Sequence, residues 1–345
     1  EPKDLTFFIA PMYAFGSKKL IGQSWVNYDQ YMSSSTVQKI SYRAGVKSFH
    51  MNKNRNLDYS LRYIRIDPSV TLTIDHPSTS GVTSSLALKG FLINEEVAEF
   101  ESANVLKGIN SVNSTIFRLD YQLKKDMALS TTSLWLSGEQ QSYGQQNYIK
   151  LSAILNQRLM YASRKNLYFR IFSAGFLSNT QRQSNSFQNV FTKGSIAMIH
   201  QGFNDYTYDE YFFSRQNQSR LYDNQVSMNN GGGFKTPIGS AYSLGMSNHF
   251  ATSVNFSSDI PILPVKLPIR IYFDAGTYST YSGSRFSNNV IYNGGLSLHI
   301  SEVINIYIPL IYSSALGNIY KGQHAGFLSR ISFGIDLHQL DPWKF

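Results

Sequence analysis

The closing stretch, Gly326-Phe327-Leu328-Ser329-Arg330-Ile331-Ser332-Phe333-Gly334-Ile335-Asp336-Leu337-His338 and on to Trp343-Lys344-Phe345, decides how the rest of the chain is read. Phe327, Ser329, Ile331, Phe333, Ile335 and Leu337 form one face. Leu328, Arg330, Ser332, Gly334, Asp336 and His338 form the other. The pattern has period two, apolar against polar or small, and it is held for about a dozen residues. A strand half that long serves a soluble sheet, whereas roughly 9–11 tilted residues are needed to cross a bilayer. The stretch predicts a membrane-spanning strand with Phe333, Ile335 and Leu337 toward lipid.

Composition agrees with that reading and narrows it. The chain has 345 residues, with 23 Tyr and 23 Phe, and its charged fraction of 15% is well under the usual quarter, about 25%. Mean hydropathy is nevertheless −0.24, and no run approaches the roughly 18 apolar residues of a membrane helix. A helical membrane protein is therefore excluded. A membrane β-barrel hides its apolar residues at every second position and looks hydrophilic on average. Cysteine is absent, so there is neither a disulfide framework nor a thiolate zinc site. No leader precedes Glu1-Pro2-Lys3, and the expectation is a mature chain or the C-terminal part of a longer one.

The net charge of +9 raises nucleic acid as a partner, but the basic residues fall singly into strand patterns and form no stripe. No nucleic acid is expected. Arginines facing a lumen, or touching lipid phosphates at a barrel rim, account for the charge more simply. The expected surroundings are outer-membrane lipid and lipopolysaccharide, reached with the help of the barrel-assembly machinery.

The same alternation recurs along the chain, from Asp4–Phe15 with its turn at Gly16-Ser17 to the final strand. Ile64, Ile66, Val70, Leu72 and Ile74 oppose Arg65, Asp67, Ser69, Thr71 and Thr73, with Pro68 predicting a bulge or kink. Asn94–Asn113, crowded with Glu95, Glu96, Glu99 and Glu101, reads as a solvated loop, and Lys124-Lys125-Asp126 as a tight turn. Ile269, Ile271, Phe273 and Ala275 form an outward row against Arg270, Tyr272, Asp274 and Gly276. Arginine at Phe273 or Ile335 should therefore be costly and at Ser332 much milder. Thr180–Met246 is long, polar and rich in Tyr, which predicts either a large extracellular loop or an inward plug. The prediction is an all-β, transmembrane, antiparallel up-and-down barrel of about fourteen strands, one domain over residues 1–345, with the long loop at about 180–246. Counting back from the end places both termini in the periplasm.

Catalytic motifs are missing. The seven histidines show neither an H-E-x-x-H pair nor metal-ligand spacing, and there is no P-loop, G-x-S-x-G or dinucleotide fingerprint. Gly231-Gly232-Gly233 reads as a flexible tip rather than a phosphate loop, and His299 and His338 as hydrogen-bonded lumen residues. No catalytic, metal or cofactor residue is expected. One constellation remains. Arg43, Arg65, Arg118, Arg158, Arg170, Arg270 and Arg330 lie on the inward phase together with Asp67, Asp120, Asp274 and Asp336. Charges of both signs in a lumen should pair, because an unpaired buried charge costs several kcal/mol, on the order of 3–5. Such a network either lines a pore or fills and stiffens the lumen.

Two resemblances add to this. The amphipathic last strand with Phe333, Ile335, Leu337 and the terminal Phe345 resembles the C-terminal assembly signal of bacterial outer-membrane barrels. Several stretches are also similar to the C-terminal region of large envelope metallopeptidases with an aminopeptidase-N-like gluzincin domain. They are Phe8-Ile9-Ala10-Pro11-Met12-Tyr13-Ala14-Phe15-Gly16-Ser17, Tyr148–Ser152, Leu167–Leu177, Asn204-Asp205-Tyr206-Thr207-Tyr208-Asp209 with Phe212–Arg215, and Ile308–Ser313. The resemblance implies a parent with zinc in that N-terminal domain. It carries no catalytic residue onto this chain, and implies a membrane anchor for a periplasmic peptidase. Other roles that fit the pattern are a pore gated by its long loop and a structural subunit of an envelope assembly complex.

Overall fold

A computed structural model describes residues 4–14, 19–32, 36–54, 59–102, 105–143, 146–180, 194–215, 221–238, 243–263, 267–282, 285–300, 303–323 and 325–336. The chain divides into two compact units. Unit 1 holds Glu1–Lys125 and Trp135–Ile149; unit 2 holds Asp126–Leu134 and Lys150–Phe345.

The strands of the first half are β1 (Asp4–Ala14), β2 (Lys19–Tyr31), β3 (Val37–Asn54), β4 (Tyr59–Ile74), β5 (Val82–Ser102), β6 (Val105–Met127), β7 (Ser130–Tyr143) and β8 (Gln146–Ala162). Those of the second are β9 (Lys165–Asn179), β12 (Phe250–Asp259), β13 (Ile269–Ser282), β14 (Arg285–His299), β15 (Ile304–Tyr312) and β16 (Ser332–Ile335). Two short strands in the long loop, β10 (Ile196–Ala197) and β11 (Met246–Ser247), pair with each other. The other fourteen form one sheet in chain order from β1 to β16, interrupted only where β9 pairs with β12 across the long loop. This is the up-and-down architecture the alternation predicts.

Its burial is inside-out. In β13, Ile271 and Phe273 are 44% and 40% exposed while Tyr272 and Asp274 beside them are 3% and 0% exposed. In β4 and β5, Ile66, Val70, Leu88 and Leu92 are exposed where Arg65 and Phe91 are buried. A water-soluble sheet hides the apolar row; hiding the polar one suits a strand whose other face meets hydrocarbon. No helix among the described residues is long and apolar enough to cross a membrane. The fold is of the transmembrane β-barrel class.

Several local expectations change. Asn94–Asn113 is not a loop: β5 and β6 continue as a hairpin paired from Asn94↔Asn113 to Ser102↔Val105. A hairpin that projects into water keeps its backbone ladder whatever its side chains, and Lys107 lies 3.6 Å from Glu99 across it. Lys124-Lys125-Asp126 continues β6, opposite Thr83 and Val82 at its first two residues; the turn follows at Ala128-Leu129. Pro68 causes no bulge. Its ladder to β3 is unbroken, while that to β5 skips Asp67 and Pro68 without changing register, as a missing N–H requires. Gly45 faces Asp67, and a Cβ there would sit 2.6 Å from its Oδ1.

The closing stretch differs most. Leu328–Arg330 is a 3-10 turn, and β16 is four residues long. Phe333 and Ile335 do alternate with buried Ser332 and Gly334. Leu337, His338 and Phe345 lie outside the described residues, as does the turn at Gly16-Ser17. The Gly/Ser-rich link before β16 contains a helix, α1 (Ser314–Gly322), which buries Leu316 and Tyr320 one turn apart.

Candidate functional site: a clamped loop and two sets of inward charges

In unit 2 the long loop is packed against the inner face of the strands. β10 and β11 bring its ends together, and Met198, Ile199, Val226, Phe234 and Ile238 form a buried core. Gln201 ties three segments of it: its amide nitrogen donates to the Asp223 carbonyl, its side-chain oxygen accepts from the Ile238 N–H, and its backbone N–H donates to Asn204 Oδ1. Arg215 closes a second knot. It lies 3.1 Å from Asp205 Oδ2, donates to the Glu210 carbonyl, and stacks over Tyr208. The stretch Asn204–Arg215, singled out by resemblance, is therefore a folded element. Lys150 of β8 donates to Tyr206, and Thr236 shares a hydrogen bond with Tyr320 of α1.

The loop also extends the sheet. Gln225 forms a parallel bridge with Phe333, and the Val226 N–H donates to the Phe333 carbonyl at 2.8 Å. Asn224 donates to the carbonyls of Ser329 and Ile331. These contacts, from the Val226 backbone and the Asn224 side chain, join the loop to the C-terminal stretch.

The tip of the loop, Met228–Lys235, is held by charges of the wall. Arg170 of β9 donates to the carbonyls of Asn229 and Gly231 and to Asn255 Oδ1. Asp274 of β13 takes the Lys235 ammonium at 2.6 Å, the Lys235 N–H at 3.0 Å and Asn255 Nδ2 at 3.0 Å. Asp336 accepts from Asn229 at 2.9 Å. Ser332, expected to face an open polar lumen, is fully buried and donates to the Lys235 carbonyl. Arginine there would collide with the loop, so the mild cost expected of that change does not hold.

The triglycine is not a flexible tip. Gly231 and Gly233 have φ of +65° and +72°, and a Cβ on Gly232 would come 2.7 Å from the Met198 Cα. One on Gly233 would meet Asn255 Oδ1 at 2.6 Å and Arg170 Nη1 at 2.7 Å. Glycine is needed because loop backbone is pressed against both the loop core and the wall.

Unit 1 uses the same residue types differently. Arg65 pairs with Asp67 at 2.8 Å, and Lys89 with Asp120 at 2.9 Å with Arg118 at 4.0 Å from the same oxygen. The guanidinium groups of Arg65 and Arg118 lie 5.1 and 4.6 Å from the Phe91 ring centroid. All of these partners come from β4, β5 and β6. Arg43 is exposed and sits over Trp25, 4.6 Å from the ring centroid.

The expected ladder of seven arginines and four aspartates is therefore not one closed network. Among the described residues, Arg65 meets Asp67 and Arg118 meets Asp120, both in unit 1. Arg270 pairs with Asp259 at 2.7 Å and donates to Tyr168, while His299 Nδ1 lies 3.3 Å from it. Arg158 is exposed and bonds Thr131. Arg330 belongs to the 3-10 turn and bonds the Ala325 carbonyl and Tyr312. The residues missed, Lys89, Lys235, Asn255 and Asp259, are of two kinds. Lys89 lies on β5 and Asn255 and Asp259 on β12, where alternation is a guide, whereas nothing local to Lys235 announces its partner 39 residues away.

Within the loop, burial and the neighbouring Asp205 push the Glu210 carboxyl up to about 8. Its Oε1 accepts from Ser227 and Asn230. Burial pushes His200, 3.9 Å from Asp205, below the ordinary imidazole range.

No family model matches the chain, and no curated protein matches it. Two solved structures align with it over 90% of its length. "CdiB from Acinetobacter baumannii" aligns at 12% identity and TM-score 0.39, over 51% of that chain. "The crystal structure of BamA from Haemophilus ducreyi lacking POTRA domains 1-3" aligns at 11% identity and TM-score 0.42, over 67% of that chain. The likeness is one of fold alone. This chain spans about half of the first protein.

Proposed function

We propose that this chain is a bacterial outer-membrane barrel whose long loop folds inward as a plug, making it a gated conduit rather than an open diffusion pore or an enzyme. The observation that carries the reading is the clamp on Met228–Lys235, where Arg170, Asp274 and Asp336 of the wall each bond the loop tip. A loop left in the external medium has no reason to bury a charged wall residue. The orientation follows from chain parity: the long loop and the projecting β5–β6 hairpin leave the same end of the sheet, and long connections are extracellular in such barrels. Both termini then lie in the periplasm.

A second reading, the membrane anchor of an envelope peptidase, is supported by the resemblance of Asn204–Arg215 and its companion stretches to barrels of that kind. The two readings are compatible, since a plugged barrel is a closed anchor.

The test is conductance in planar bilayers. The wild-type protein should be nearly silent, and Arg170→Gln combined with Asp274→Asn should give frequent openings. A large, steady conductance from the wild type would overturn the plug.

A further inference from the structure

Beneath the loop tip, unit 2 holds an open cavity of about 740 Å³. Its described lining carries Arg158, Arg164, Lys165, Lys235 and Arg270 against the carboxylates of Asp259 and Asp336. Lys235 is answered by Asp274 and Arg270 by Asp259. Lys165 spends its ammonium on the carbonyls of Ile260 and Leu263, at 3.0 and 2.8 Å. Arg158 donates to the Thr131 hydroxyl. Arg164 stands exposed in the β8–β9 turn at φ 57°. Among the described residues neither arginine forms an ion pair with a carboxylate, and both line the cavity with Lys165.

We infer that this cavity is a binding site for an extended acidic peptide segment, its carboxylates taken by Arg158 and Arg164. The guanidinium fork suits a planar carboxylate, and two such forks on adjacent elements space two carboxylates apart. The remainder of the wall argues for a peptide over a simple anion. Tyr168, Tyr307, Met228 and Leu267 line it with apolar surface that a phosphate cannot use, and the volume is in the range of sites for sizeable ligands, roughly 300–1,000 Å³. The turn carrying Arg164 and the link before β13 lie at the end of the sheet that holds both termini. That is the periplasmic end under the orientation proposed above, on which this placement rests, so the segment would come from a periplasmic polypeptide.

Binding is measured on the full chain folded in detergent, by calorimetry, with a short peptide alternating Asp and Gly. Twins with Lys or Ser in place of Asp, and inorganic phosphate, serve as comparisons. The acidic peptide should bind, and its twins and phosphate should not. Arg158→Gln with Arg164→Asn, the latter chosen because Asn tolerates positive φ, should weaken it at least about tenfold, as loss of a charge-assisted contact implies. Arg158→Lys should lose part of the affinity while keeping the preference for the acidic peptide, and Arg158→Glu should move the preference toward the Lys peptide. Equal binding of the Ser twin, phosphate binding as tight as the peptide's, or an unchanged double variant would each overturn the proposal. Because binding in detergent does not depend on conductance, a silent barrel without peptide affinity refutes this site and leaves the plug standing.

Discussion

Asp120 and Asp274 occupy equivalent positions, inward on long strands of the same sheet, yet their partners come from different kinds of places. Asp120 is answered by Lys89 and Arg118, from its own hairpin. Asp274 is answered by Lys235, from the far side of a loop. In the first unit the wall neutralises itself. In the second, Arg270 and Asp259 still pair within the wall, but Arg170 and Asp274 hold the loop, so the fold there depends on chain that is distant in sequence. The difference shows that an inward charge in a barrel is not by itself a pore lining or a stiffening ladder; what decides its role is where its counter-charge is anchored.

The largest effect expected from this contrast is at Asp274. Asp274→Asn leaves the Lys235 ammonium against a wall without its anion, at a cost of about 3–5 kcal/mol where the site is dry. Asp120→Asn should cost less, about 1–3 kcal/mol, because the Lys89 side chain is 34% exposed and can turn to water. Urea unfolding in detergent or lipid measures both. Lys235→Met added to Asp274→Asn should recover much of the loss. Equal costs at the two aspartates would erase the distinction between the units.

That distinction is only half legible in the sequence. Period-two alternation is a local property, so fourteen strands, their two faces and Arg65, Asp67, Arg118 and Asp120 of unit 1's charge cluster follow from neighbours two to a few tens of positions apart. The loop obeys no period. Its core of Met198, Val226, Phe234 and Ile238 is scattered among Asn, Ser and Gly, and looks like a polar connection until the pieces are brought together. The triglycine misleads for the same reason: the backbone freedom that suggests a mobile tip is what lets the chain pass within reach of Met198 and Arg170. The closing stretch keeps its alternation at Ser332–Ile335 and loses it upstream, where a helix and a 3-10 turn satisfy the backbone instead.

Next in size is the outward face, which the two units share in kind. Phe273 is 40% exposed between buried Tyr272 and Asp274, and stacks against Tyr292. Phe273→Arg should cost about 2–4 kcal/mol in a bilayer if the residue lies near the midplane. In a soluble sheet the same change at an exposed site would cost little, within about 0.5 kcal/mol. Refolding into vesicles against urea separates the two. A neutral result would mean that this face is not lipid-facing.

The smallest net effect is a pH dependence that only the loop-clamped unit should show. Glu210 titrates at about 8 in the folded loop, against an ordinary carboxyl value of about 4.3 when unfolded. The folded state therefore holds a proton that the unfolded one has lost. Its contribution is complete below about pH 4 and disappears as pH rises through about 8. His200 works the other way, since burial lowers its value and its contribution is lost as pH falls below the ordinary imidazole range, about 6.5. Between about pH 6.5 and 8 Glu210 is the one of the two still changing, and the loop should loosen by a net amount on the order of 1–2 kcal/mol. Hydrogen exchange of the amides at Asn229 and Asn230, which donate to Ser227 beside Glu210, reports on this directly. After correction for the intrinsic pH dependence of exchange, protection there should fall across that interval in the wild type and stay level in Glu210→Gln, whose amide oxygen still accepts from Ser227 and Asn230. Protection that falls equally in the variant would place the sensitivity elsewhere and remove Glu210 from the clamp.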